Sequence, residues 1–189
     1  MIWIKKFNYK NITKVMKSVF KTSGIVINKK LLLDSNLLLT IFTRELGKIN
    51  VFAFGARKIT SRRISYFEIA NLLKLVVEKK DERFNLKEVS LISAFSSIKE
   101  KKNKWKNIYL FFYILNKILP ENVKDKKNFF LTLDFLINLS KKEMRLQDFN
   151  KFLNILLFNL GYIKKDQLFF ENLKTVEEII EEKIPNFSL

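Results

Sequence analysis

Residues 37–58 read LLLTIFTRELGKINVFAFGARK. Two apolar runs, Leu37–Thr43 and Lys48–Ala56, flank a short polar segment that ends in Gly47. A glycine between two β-rich runs is typical of a hairpin turn, because glycine accepts the positive φ that tight turns require. The stretch therefore predicts two antiparallel strands joined by a hairpin.

Three further strands are predicted around this hairpin. Thr22–Lys29 precedes it, and Ile69–Glu78 and Leu86–Phe95 follow it, the last two separated by the polar turn Asp81–Arg83. Five short strands in close succession are typical of a small closed barrel or sandwich. We therefore expect a β domain over residues 22–97.

The second half of the chain changes to a helical period. Apolar residues from Trp105 to Leu119 recur every three or four positions and stop at Pro120. The predicted bundle over residues 98–189 also has helices around Phe129–Ile137, Leu146–Leu160 and Thr175–Ile180, with Gly161 as a C-terminal cap and Pro185 as a stop. Ser97–Glu100 and Ser140–Glu143 are interpreted as capping boxes that begin two of these helices. The fold class expected is α+β: a five-stranded barrel followed by a small all-α domain.

The first 21 residues fit neither half. We expect an N-terminal extension over residues 1–21, or a start-site artefact before Met16. No apolar run approaches the roughly 20 residues that a membrane helix needs, so we expect a cytoplasmic protein without membrane contact.

The composition removes most catalytic chemistry. The 189 residues include 0 Cys and 0 His, which excludes zinc sites built on those residues, thiol nucleophiles and imidazole catalysis. The densest carboxylate cluster is Glu177, Glu178, Glu181 and Glu182, which is interpreted as the solvated face of a helix rather than a cation site. We expect no enzyme, no cofactor and no bound metal.

The charge indicates a polyanionic partner. The chain has 36 Lys and Arg against 19 Asp and Glu, a formal net charge of +17. Codon drift in an AT-rich genome explains lysines more readily than arginines, and four of the six arginines fall within 44–63. The candidate nucleic-acid-binding residues are Arg44, Lys48, Arg57, Lys58, Arg62 and Arg63. Arg83 and Arg145 are isolated in the sequence.

Aromatic residues accompany this basic segment. A small barrel with a basic rim binds single strands by tracking phosphates and stacking bases on exposed rings. Phe52, Phe54, Tyr66 and Phe67 are the stacking candidates, although strand alternation places some of them inside the barrel.

The same segments resemble a known family. Ser23–Ile27, Leu39–Lys48, Ala53–Lys58 and Ser61–Arg62 together resemble the N-terminal OB-fold region of RecO, the bacterial recombination mediator. Leu156–Tyr162 resembles the helix end that precedes a zinc-binding segment in many members. That segment carries paired cysteines in those members, whereas this chain continues with Ile163 and has none, so zinc is not expected.

The resemblance implies partners and a mechanism. RecO-like proteins bind single- and double-stranded DNA, anneal complementary strands and contact the acidic C-terminal tail of single-stranded-DNA-binding protein. With RecR they help to load RecA onto coated strands, and the six basic candidates match or adjoin basic positions of the family pattern. A tail pocket could use Lys141, Lys142, Arg145 and Lys151 beside Leu146 and Phe149, but an ordinary amphipathic helix is the preferred interpretation, so these residues are not among the candidates.

Three other functions remain open from the residues. An OB-fold RNA-binding or ribosome-associated protein would need the same phosphate contacts. A protein-binding adaptor would owe its charge to drift alone. An enzyme would depend on the carboxylates of 177–182.

Overall fold

The computed structural model describes residues 17–57, 64–169 and 172–185. The strands are β1 (Lys17–Leu31), β2 (Leu37–Thr43), β3 (Gly47–Ala53), β4 (Leu72–Lys80) and β5 (Arg83–Ser93). The helices are α1 (Ser96–Lys99), α2 (Lys102–Ile118), α3 (Lys126–Lys141), α4 (Leu146–Asn159) and α5 (Leu173–Ile180). The predicted order of five strands followed by helices is confirmed.

The five strands form a closed barrel in the order β1-β2-β3-β5-β4. β1 closes it because its first half pairs with β4 and its second half with β2. Gly24 lies where the two pairings overlap, opposite Thr43 on one side and Leu73 on the other. A Cβ at Gly24 would lie 2.5 Å from Cγ2 of Ile41, so this crossing has no room for a side chain.

Two hydrophobic cores follow from the strand alternation. Val51 and Ala53 of β3 point into the barrel, where they pack with Leu39, Ile49 and other buried apolar side chains. On the outside of β1 and β2, Ile25, Ile27 and Phe42 join a second core that is continuous with the helices. The barrel and the helical domain are therefore packed against each other through an apolar interface.

The element boundaries differ from the prediction in two ways. β1 begins at Lys17, so residues 17–21 of the expected extension belong to the barrel; residues 1–16, including Met16, lie outside the described residues. Both capping boxes are wrong: α1 begins at Ser96, with Phe95 as its N-cap residue, and α4 begins at Leu146, and neither has a side-chain cap. Ser97 Oγ instead donates to the carbonyl oxygen of Ser140, at 3.3 Å.

The glycine-based predictions are confirmed. Gly47 closes the β2–β3 hairpin with φ 72°, and Gly161 follows α4 with φ 82°. After Gly161 the N–H of Tyr162 donates to the carbonyl of Leu157, as in a helix C-terminal cap.

Candidate nucleic-acid interface

Two of the basic candidates, Arg44 and Arg57, lie at opposite ends of the barrel. Arg44 follows β2 in the hairpin turn, whereas Arg57 follows β3, which runs antiparallel to β2. Seven residues of strand separate the two ends, a span of about 20 Å at the rise of an antiparallel strand. We call the turn at Arg44–Leu46 the hairpin end. The loop end comprises the β1–β2 loop at 32–36, residues 54–57 and the β4–β5 turn at 81–82.

At the hairpin end, Glu45 gathers the basic side chains around it. Its carboxylate lies 2.8 Å from Nε of Arg44, 2.9 Å from Nζ of Lys124 and 3.8 Å from Nζ of Lys126. Hydrogen bonds from Lys124 and Arg44 lower the pKa of Glu45 to about 2. The positive charge of Arg44 is thus partly compensated, while its side chain stays exposed.

Lys48 is directed toward the helical domain. It is buried, and its Nζ lies 2.6 Å from the main-chain oxygen of Asn116 in α2. Burial lowers the pKa of Lys48, against a smaller opposing effect of the Glu121 carboxylate. In this conformation the ammonium group does not face a strand bound on the barrel surface.

Arg57 ties two segments of the loop end together. Its Nη2 donates to the carbonyl of Leu32 at 3.2 Å, and its main-chain N–H donates to the carbonyl of Ser35 at 3.0 Å. Its Nε is buried without a partner. Lys58, Arg62 and Arg63, which follow it, lie outside the described residues.

The loop end also contains basic residues that are not among the six candidates. Lys17, Lys80 and Arg83 stand in one cross-strand row and are all exposed. Arg83 is isolated in the sequence, but β5 pairs in parallel with β3 at Phe52. The strand order of the barrel, rather than any local motif, brings Arg83 to this end.

The four aromatic candidates separate into inner and outer pairs. Phe67 is buried in the barrel core, and Tyr66 is partly buried against that core. Phe52 and Phe54 lie two residues apart and point outward, with ring centroids 6.3 Å apart and planes inclined by 20°. Phe54 is 62% exposed. The guanidinium carbon of Arg83 lies 5.8 Å from the centroid of Phe52.

A surface cleft of about 580 Å³ adjoins these rings. Its lining residues are Phe52, Phe54, Lys80, Asp81, Glu82, Arg83 and Asn85. Two basic and two acidic side chains therefore border it, so the cleft combines exposed aromatic surface with balanced charge.

A second cavity, of about 250 Å³, lies between the end of α3 and α4. It is lined by Asn138, Lys142, Met144, Asp148, Lys151, Phe152 and Ile155. Lys142 and Lys151 are therefore placed together, as the tail-pocket alternative requires. The apolar floor is different, because Phe149 is fully buried and the cavity is floored by Met144, Phe152 and Ile155.

Two of the four carboxylates of 177–182 make hydrogen bonds within the helical domain. Glu182 accepts hydrogen bonds from Tyr113 at 2.8 Å and from Lys117 at 2.7 Å, and these bonds lower its pKa. Glu177 accepts from the main-chain N–H of Ile184. Within the described ranges no three Asp or Glu side chains are grouped as metal ligands would be. No helix among those residues has the length and apolarity to cross a bilayer.

Comparison with known proteins identifies relatives of the barrel. Residues 16–95 match the family model of the recombination protein O N-terminal region. A DNA repair protein RecO from Acetivibrio thermocellus is 28% identical over 143 residues, covering 75% of this chain and 57% of the relative. Its counterpart from Bacillus cytotoxicus is 31% identical over 110 residues, covering 57% of this chain and 42% of the relative.

These matches span about half the length of the curated relatives. Among solved structures, the crystal structure of the TiaS–tRNA(Ile2)–ATP complex matches 40% of this chain and 18% of its own, with 16% identity and a TM-score of 0.34, a likeness too slight to bear on function. The family match and the closed five-stranded barrel coincide along the chain. Through this barrel, at residues 16–95, the chain is similar to the N-terminal region of recombination protein O.

Proposed function

We propose that this chain acts in DNA repair and homologous recombination as a mediator of the RecO type, and that it is not an enzyme. It binds single- and double-stranded DNA and anneals complementary strands. The observation that carries the proposal is the loop end, where Lys80 and Arg83 line one cleft with two outward-facing aromatic rings, on a barrel that matches the RecO N-terminal family model.

Annealing needs two strands held close together against their mutual repulsion. A protein with a formal net charge of +17 lowers that repulsion and raises the local strand concentration. In this mechanism Arg57, Lys58, Arg62 and Arg63 make phosphate contacts at or after the loop end, and Arg44 makes them at the hairpin end. Phosphate contacts position a strand without reading its sequence, which suits a protein that must anneal any pair of strands.

The proposed protein partners are those of a mediator. RecR would act with this chain to load RecA onto strands coated with single-stranded-DNA-binding protein, at the nucleoid during repair. The cavity beside α4 suits the acidic tail of the coating protein, because Lys142 and Lys151 flank the apolar side chains of Met144, Phe152 and Ile155. A Lys151→Glu variant should then lose binding to the tail peptide while its affinity for naked DNA falls little.

The first experiment measures annealing of complementary DNA strands that have been coated with the cognate single-stranded-DNA-binding protein. We expect acceleration over the protein-free control at low salt, and less acceleration at higher salt. Replacing Arg57, Arg62 and Arg63 with Ala should remove the acceleration and flatten the salt dependence of affinity by about three phosphate contacts. An unchanged salt slope would discard these residues while leaving the function standing.

The second candidate function is binding of RNA, since phosphate contacts do not distinguish the two nucleic acids. Matched DNA and RNA oligonucleotides separate the two. Tighter binding to RNA, without acceleration of DNA annealing, would favour the RNA-binding function.

A further inference from the structure

We infer that Phe52 and Phe54 form a stacking platform for unpaired bases, which makes this barrel prefer single-stranded over duplex DNA. The inference rests on the proposed DNA-binding function. It adds that the cleft recognises the bases of the strand. The geometry of the two rings, the position of Arg83 and the charge balance of the cleft each point to a base as the occupant.

The rings are placed by the alternation of β3. Val51 and Ala53 are directed into the barrel core, so Phe52 and the residue beyond the strand end, Phe54, are directed outward. Phe54 is 62% exposed and its ring lies beside that of Phe52, so the two form an aromatic patch rather than a single exposed side chain. The ring of Phe54 is nearly parallel to that of Phe52, at 20°, so the pair offers flat aromatic surface.

Arg83 adds a cationic plane to this surface. Its guanidinium carbon lies 5.8 Å from the centroid of the Phe52 ring, within the range of a cation–π contact. Arginine planes and aromatic rings are the two kinds of side chain that stack on unpaired bases. The two phenylalanines and the arginine therefore present compatible stacking surfaces along one cleft.

The charges of the cleft favour a base over a phosphate as its main occupant. Lys80 and Arg83 are matched by Asp81 and Glu82 among the lining residues. A lining with balanced charge does not concentrate anions, whereas an aromatic face attracts the π-face of any base. The phosphates of the same strand would be held by basic residues outside the cleft, such as Lys17, which pairs with Lys80 across the strands.

Duplex DNA cannot use such a platform without unpairing. The faces of its bases are already covered by their neighbours in the stack, and only single strands or frayed ends offer them free. A cleft of about 580 Å³ is large enough for one or two bases. The platform therefore supplies preference for single strands, while the basic residues bind either form of DNA.

The test compares two single strands that carry the same number of phosphates. One is oligothymidine and the other is an abasic strand of equal length; fluorescence anisotropy gives the affinity of the full chain for each. We expect tighter binding to oligothymidine by about tenfold, the effect of one base–aromatic stack. Phe54→Ala should remove this preference and leave the affinity for the abasic strand unchanged. Phe54→Tyr should keep the preference.

The matched control is Phe130→Ala. Phe130 is also an exposed phenylalanine with one ring neighbour, Phe129, but it lies on α3, outside the cleft. We expect the control to bind both strands as the wild type does. Equal affinity of the wild type for the two strands would overturn the platform and leave phosphate binding intact. Failure to bind either strand at low salt would overturn the proposed function, and the platform with it.

Discussion

Nζ of Lys48 lies 2.6 Å from the main-chain oxygen of Asn116, and this bond joins β3 of the barrel to the last turn of α2. The oxygen needs an external donor because residue 120, four positions on, is a proline without an N–H. A cation at a helix C-terminus is also favoured by the helix dipole. Lys48, selected in the sequence as a phosphate ligand, thus caps a helix across the domain interface.

Removing this ammonium group should weaken the domain interface. We expect Lys48→Met to lower the free energy of unfolding by about 1–3 kcal/mol, because the Asn116 oxygen loses a charged donor in a buried setting. Denaturant unfolding followed by circular dichroism measures the change. Lys74→Met, on the exposed face of β4, makes the same change in net charge and should cost less than about 0.5 kcal/mol. Equal losses in the two variants would contradict the capping role of Lys48.

The β2–β3 hairpin is fitted against the loop between α2 and α3. A Cβ at Gly47 would lie 1.9 Å from the main-chain oxygen of Val123, and Gly47 has φ 72°. Gly161 has a similar φ, 82°, but no atom lies within 4 Å of the position of its Cβ. The two glycines therefore separate the cost of backbone strain from the cost of a clash.

We expect Gly161→Ala to cost about 1 kcal/mol of unfolding free energy, from the positive φ alone. Gly47→Ala should cost at least about 2 kcal/mol more, because the Val123 backbone must move. Thermal unfolding of the two variants checks the difference. If both variants lost the same unfolding free energy, the close contact between the hairpin and the Val123 backbone would not contribute to stability.

Glu45 gives this contact a pH dependence. Its pKa in the folded protein is about 2, against an ordinary value of 4.5, because Lys124 and Arg44 stabilise the charged carboxylate. A lowered pKa contributes stability that is fully present above pH 4.5 and is lost as the pH falls toward 2. The wild type should therefore be more stable than Glu45→Gln near neutral pH, and the difference should disappear at about pH 2. A difference independent of pH would assign the effect to packing instead.

Local patterns predicted the elements better than they predicted the site. Alternation and turn glycines gave the five strands and the hairpin at Gly47, since these depend on neighbours along the chain. The capping boxes failed for different reasons: Ser97 Oγ donates across to the carbonyl of Ser140, whereas Ser140 still belongs to α3 and donates to the carbonyl of Ile137. Arg44 and Arg57 are close in sequence, yet the antiparallel hairpin between them places them at opposite ends.

Local sequence patterns could not predict which residues the strand order of the barrel brings together. Arg83 stands alone in the sequence and reaches Phe52 through the parallel pairing of β5 with β3. The burial of Lys48 could not be predicted either, because it depends on where α2 docks. The strand order of the barrel, if it is applied to the five predicted strands, places Arg83 beside Phe52 and so adds it to the candidates.

Variants of Arg83 and Arg145 separate the effect of where a positive charge lies from the effect of the protein's net charge, because each variant removes one positive charge. Both arginines are isolated in the sequence; Arg83 lies over Phe52 at the loop end, whereas Arg145 pairs with Asp148 at 3.1 Å in the helical domain. Arg83→Gln should weaken binding to naked single-stranded DNA by about tenfold, the effect of losing one specific contact. Arg145→Gln removes the same charge and should leave the affinity nearly unchanged. Anisotropy titrations at two salt concentrations measure both. Equal weakening would mean that net charge alone governs binding, as expected of an adaptor whose basic character arose by drift.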